Sequence, residues 1–132
     1  MNSYNGFTGA QREQGDKILK EAIAKGVIPD PMTIPCEICG QDKGIRHYHC
    51  EDYSPQNIIS NARCLCWRCH MMLHSRFRNA EATAQYFIGV TLYGKKYPPV
   101  YRHNFEILDK MKEELMKKDK PKEQQPDLFD TK

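Results

Sequence analysis

Apolar residues recur at helical spacing at Ile18, Leu19, Ala22 and Ile23, in a stretch that is otherwise polar. Ahead of them, Thr8-Gly9-Ala10-Gln11 has the form of a capping box, and Gly26 supplies a stop. The pattern predicts an amphipathic helix over residues 9–25, after a loose polar start. Pro29, Pro31 and Pro35 then keep the chain extended and stiff. Residues 44–50 alternate, with Ile45, His47 and His49 on one face of a strand and Arg46 and Tyr48 on the other. Residues 51–65 predict a long loop with a short apolar patch at Ile58-Ile59, followed by a helix from near Cys66 to about Phe77. Asn79 is placed to cap a further helix through Ala80, Ala84, Phe87 and Ile88, closing near Gly89 or Gly94. Pro98-Pro99 breaks the chain again. Asn104 is placed to cap a last helix with Ile107, Leu108, Met111 and Leu115 on one face. From Lys117 onward the chain has almost nothing to bury and is expected to be disordered.

Composition narrows the picture. The chain has 132 residues, of which 39% are hydrophobic, enough for one modest domain whose rigid part gains from a metal staple. No apolar run approaches a membrane span, and the N-terminus lacks the layout of a signal peptide. A cytoplasmic setting is therefore expected, where six cysteines favour metal binding over disulfides. A net charge of +3 permits nucleic-acid binding without demanding it.

The chemistry gathers in two knuckles, Cys36-x-x-Cys39 and Cys66-x-x-Cys69. Four thiolates so spaced are the ligand set of a closed, tetrahedral structural zinc. Gly40 lets the first knuckle turn so that backbone amides point at sulfur. Cys50 and Cys64 are expected as small buried residues. His70 follows Cys69 directly, and His74 lies at i+4, facing the same way from a helix.

The order Cys36, Cys39, His49, Asn61, Cys66, Cys69-His70, His74 resembles the HNH endonucleases, whose ββα-metal motif often sits inside a four-cysteine zinc knuckle. The segments His49-x-x-Asp52-Tyr53-Ser54 and Cys-His-Met-Met-Leu-His also look like small phage-type zinc proteins of that kind. The resemblance covers residues 36–78. It implies an α+β fold: a small zinc-stabilised treble-clef or ββα-metal module flanked by α-helices, with a disordered C-terminal tail. Residues 1–35 would be an N-terminal helix and Pro-rich lead-in, 36–78 the module, 79–116 C-terminal helices packing on it, and 117–132 the tail.

By the same resemblance, His49 would be the general base that activates water against a phosphodiester, and Asn61 would orient that histidine. His70 would ligate a catalytic divalent cation such as Mg²⁺. His74 would complete that site or bind phosphate. Arg63, Arg68, Arg76 and Arg78 would contact DNA phosphates. The chain departs from the family in three places. Tyr48 stands where the family carries an Asp or His metal ligand, leaving His47 or Asp52 as candidates for that role. Cys50 follows His49 where related proteins have a second histidine. Asn57 competes with Asn61 for the motif asparagine.

Near the end, Gln125-Pro126-Asp127-Leu128-Phe129 resembles the pentapeptide that docks bacterial proteins onto the DNA polymerase sliding clamp, with Gln125, Asp127, Leu128 and Phe129 as the contacts and Pro126 as a departure. The leading expectation is a metal-dependent HNH-type DNA endonuclease, recruited to the clamp, in the cytoplasm of a bacterium or phage-infected cell. A zinc module that binds DNA or a replication protein without cutting is the alternative, and a purely structural zinc protein is a third.

Overall fold

The computed structural model describes residues 1–124, so the clamp-like peptide and the rest of 125–132 lie outside the described residues. Helices and a two-stranded antiparallel sheet make up the fold. In chain order these are α1 (Gly9–Ala24), β1 (Arg46–His49), β2 (Arg63–Cys66), α2 (Trp67–His74), α3 (Ala80–Leu92) and α4 (Phe105–Gln124). Short 3-10 turns cover Pro31–Thr33 and Ser75–Phe77. Among the described residues, no helix is long and apolar enough to cross a membrane.

Local signals placed most elements. Thr8 and Gln11 form the reciprocal capping box of α1. Asn79 caps α3 through the amide of Ala82, and Asn104 accepts from the amide of Glu106 at the start of α4. Two expectations need correction. The loop expected over 51–65 ends in β2, because Cys64 and Leu65 are half of a short strand, buried over its last three residues, with no alternation to announce it. The register pairs Arg46 with Cys66 and His49 with Arg63. The disorder expected from Lys117 also begins too early, since α4 continues through Gln124. Extending a helix already nucleated by its packed first turns costs far less than starting one.

Burial divides between two clusters. The larger packs Trp67, Cys69 and Met72 of α2 against Ala82, Tyr86 and Val90 of α3 and Leu108, Met111 and Leu115 of α4. The smaller packs Leu19 of α1 on Cys50, Tyr53, Ile58 and Ala62. The sheet lies between them. Gly44, at φ 76°, leads into β1 under the backbone of Val100, where a Cβ would come within 2.6 Å of the Val100 carbonyl oxygen. Arg46 is 5% exposed and donates to the carbonyls of Ile34 (2.7 Å) and Gly44 (3.0 Å), as well as to those of Pro31 and Met32. A buried cation is tolerated when carbonyl oxygens surround it. Here they fasten the proline-rich lead-in to the strand that carries His49.

Candidate metal centre

The two knuckles meet where the sheet hands over to α2. In the first, the amide of Gly40 donates to the Cys36 carbonyl at 2.9 Å and the amide of Ile38 points at Cys36 Sγ at 3.4 Å. In the second, Cys66 is the N-cap of α2, its sulfur accepting from the Cys69 amide at 3.4 Å. The amide of Glu37 donates to the carbonyl of Cys64 at 2.8 Å, tying the first knuckle to β2.

All four sulfurs lie within 4.8 Å of one another, with Cys39 and Cys66 at 3.7 Å. A tetrahedron with metal–sulfur bonds of about 2.3 Å has edges of about 3.8 Å, close to the Cys39–Cys66 separation, so the donor set is of the right size and chemistry for zinc. The thiols alone conflict electrostatically. Hydrogen bonds from Cys39, Cys66 and Cys69 pull the Cys36 thiol down, while Cys36, Cys39 and Cys66 together push the Cys69 thiol up. A dication resolves that conflict by holding all four as thiolates. Tyr86 closes the far side, its hydroxyl 3.2 Å from Cys69 Sγ. Cys36, Cys39, Cys66 and Cys69 are thus positioned to bind a metal such as zinc.

One residue further along α2, the side chain turns to the other side. His70 and His74, one helical turn apart, bring their Nε2 atoms to 3.1 Å. His49 reaches them from β1, with ring centroids at 5.2 Å from His70 and 5.0 Å from His74. One nitrogen of each of the three rings lies within a group spanning 4.8 Å. Burial, then the neighbouring His74 and His49, bring His70 down to about 3. Burial and His49 bring His74 down to about 4. Burial also lowers His49, partly countered by Glu51. Neutral imidazoles at neutral pH are the metal-binding form.

The rest of the expected site is placed as follows. His49, expected as a base, falls within the group of three potential ligands. Asn61 accepts the amides of Glu51 and Asp52, each at 2.9 Å, and so braces the turn that follows β1. Asn57 instead donates to the carboxylate of Asp52 at 2.8 Å. Asp52, expected as a further metal ligand, is outside the group: Ser54 and Asn57 take its carboxylate oxygens. Strand alternation explains this, since the acidic side chain on the His49 face is that of Glu51. His47 is also outside the group, its ring 5.8 Å from His70 and 5.6 Å from His103. The expectation of Mg²⁺ fits this donor set poorly. Magnesium prefers oxygen ligands, and three imidazoles suit zinc, nickel or copper better.

Three of the four arginines are engaged within the protein. Arg63 donates to the carbonyls of Ser60 and Ala62, and Arg68 donates to that of Pro98. Arg76 donates to Glu51 at 2.6 Å and to the Leu73 carbonyl. Arg78 is exposed. A cleft of about 500 Å³, lined among others by His49, Glu51, Asn61, Arg63 and Arg76, opens beside the histidines.

Sequence reading missed Glu51 and Tyr4. Glu51 carried a signal, because two residues after His49 it shares that strand face. Tyr4 carried none. It reaches the site from the tight turn Tyr4–Phe7, its hydroxyl donating to Glu51 at 2.9 Å and its ring 4.8 Å from His74.

Fold and site together define a small mixed helix-and-sheet chain with a four-cysteine metal site and a three-histidine centre sharing one helix. No protein-family model matches the chain, and no curated protein or solved structure does.

Proposed function

We propose that the chain is a divalent-metal-dependent endonuclease of the HNH type, built on a treble-clef, ββα-metal module. One observation carries the reading: a strand histidine and two helix histidines converge beside a four-cysteine site, with an asparagine bracing the turn that follows the strand. His49, His70 and His74 would hold the catalytic cation. When bound, it would act as a Lewis acid toward a DNA phosphodiester and lower the pKa of attacking water. Asn61 braces the backbone turn after His49. Arg63 and Arg76 line the cleft where a phosphate would lie, and Arg78 stands outside it for the backbone of the duplex. The four-cysteine site holds the strand against the helix and takes no part in the chemistry.

A specific observation favours a second reading, a module that binds DNA without cutting it. Cys50, in the place where the resembled proteins have a second histidine after His49, is buried on the opposite face, and burial holds its thiol up to about 12. Supercoiled plasmid incubated with Mn²⁺, Ni²⁺, Zn²⁺ or Mg²⁺ decides between them. The nuclease reading expects nicking that disappears in His49→Ala and His70→Ala. Nicking that survives both substitutions overturns the assigned site, and DNA binding without nicking under every metal selects the second reading. The peptide 125–129 would tether either activity to a sliding clamp, raising its local concentration on DNA. Co-elution with a bacterial clamp unchanged on removal of residues 125–132 would refute the tether.

A further inference from the structure

We infer that Glu51 is the positioning residue of the histidine centre: by taking the Nε2–H of His49, it leaves the lone pair on Nδ1 of that ring to face a cation. The inference rests on the reading that His49, His70 and His74 hold a metal.

Three observations meet here. First, Glu51 Oε2 contacts His49 Nε2 directly. An ionised carboxylate only accepts, so the ring nitrogen facing it carries the proton. Second, His49 Nδ1 is buried and has no hydrogen-bond partner among the described residues. A bare buried acceptor is unfavourable unless something absent from the protein chain satisfies it, and an ion is one such group. His70 Nδ1 is in the same condition, but His70 faces His74 through Nε2. For His49 alone, a carboxylate assigns which nitrogen is free. A carboxylate–histidine–metal relay of this kind fixes tautomer and ring orientation and makes the ligand more basic.

Third, Glu51 is held far more firmly than a half-exposed glutamate normally is. A free glutamate samples many rotamers. Here Tyr4 Oη donates to Oε2 at 2.9 Å, and Arg76 donates to Oε1 at 2.6 Å. Asn5 Nδ2 donates to the Glu51 carbonyl at 2.8 Å and to Oε1 at 3.3 Å, and Asn61 Oδ1 accepts its amide at 2.9 Å. The Tyr4–Phe7 turn can reach because Asn5 and Gly6 adopt positive φ, 52° and 86°. The first residues of the chain therefore belong to the site through Glu51.

The test uses the full chain with its thiol site zinc-loaded, read by long-range ¹H–¹⁵N spectra of the imidazoles before and after a second equivalent of Zn²⁺. Wild type is expected to show His49 as the Nε2–H tautomer, with Nδ1 shifting on the second equivalent. Glu51→Ala is expected to mix the tautomers and weaken the second site by about 10–100-fold. Tyr4→Phe, which keeps the ring and removes only the hydroxyl, is expected to give a smaller loss of the same kind. A wild-type second-site affinity in Glu51→Ala, or a metal-induced shift at Nε2 instead of Nδ1, overturns the inference. Failure of wild type to bind a second equivalent refutes the metal reading instead. In that case the tautomer still reports on Glu51, and a tautomer unchanged in Glu51→Ala refutes its role independently.

Discussion

Two glycines in helix interiors make opposite predictions from the same substitution. Gly15 lies where α1 crosses the turn after β1. A Cβ built on it would be 3.0 Å from Tyr53 Cδ1, 3.1 Å from Ile58 Cδ1 and 3.2 Å from the Tyr53 carbonyl oxygen. Gly89 lies in α3, where the nearest atoms to a new Cβ are those of Lys95 at 3.9 Å. Alanine favours a helix interior over glycine by about 1 kcal/mol at either position. At Gly89 nothing opposes that gain. At Gly15 the new methyl presses on a backbone carbonyl and two packed side chains, and overpacking of this kind costs about 1–3 kcal/mol. Gly15→Ala should therefore lose about 1 kcal/mol net and Gly89→Ala gain up to about 1 kcal/mol. For a domain of this size that corresponds to about 4 °C in Tm, down for one and up for the other. Thermal unfolding followed by circular dichroism, at one fixed excess of zinc so that metal linkage does not shift the baseline, measures both. A Tm raised equally by both substitutions would show that α1 does not seat against Tyr53 and Ile58. The placement of the Tyr4 turn over the histidines would then fall with it.

Other outcomes follow from the same contacts. Folding holds His70 near 3 and His74 near 4, below the unfolded value of about 6.5, so the unfolded chain binds protons that the folded chain refuses. Stability from these rings is complete above about pH 6.5 and is lost as pH falls toward those values. Urea midpoints across that window should drop more steeply in wild type than in a His70→Leu, His74→Leu variant, and parallel curves would contradict the burial. Stripping zinc with a chelator should melt the cluster around Trp67 and Tyr86, read as a red shift of the single tryptophan's emission, and Cys69→Ser should do the same without chelator. Arg46→Met removes the donor that four carbonyls share and should cost about 3 kcal/mol, measured by urea denaturation; a loss under 1 kcal/mol would refute its role in fastening the lead-in.

Much of this was readable from the residues alone, for reasons that can be named. Caps act over three residues, so Thr8, Asn79 and Asn104 announced their helices without tertiary help. The thiol spacing announced its site because few other arrangements use two such knuckles. The histidine centre was legible as residues but not as roles. Which nitrogen of His49 is free depends on Glu51, and Glu51 is fixed by residues 46 and 47 positions away in the chain. Long-range partners leave no periodic mark. The strand at Arg63–Cys66 escaped for a related reason, since a four-residue strand covered on most of its length shows no alternation to read. The segment His49-x-x-Asp52 drew attention to Asp52, whereas the pleat of the strand brings Glu51 to the histidine face.

The pleat has a further consequence at Cys50. Consecutive residues of β1 and its exit point to opposite sides of the sheet, so His49 belongs to the histidines while Cys50 belongs with Leu19, Tyr53, Ile58 and Ala62 beneath α1. A histidine placed at position 50 would have to find room in that apolar cluster, where Cys50 is 2% exposed, and would bury an imidazole without a partner. Installing a second histidine at that position is therefore not one substitution away. The neighbours under α1 would have to be resized together, which makes position 50 a packing constraint on what this centre could become under selection or in the hands of a protein engineer.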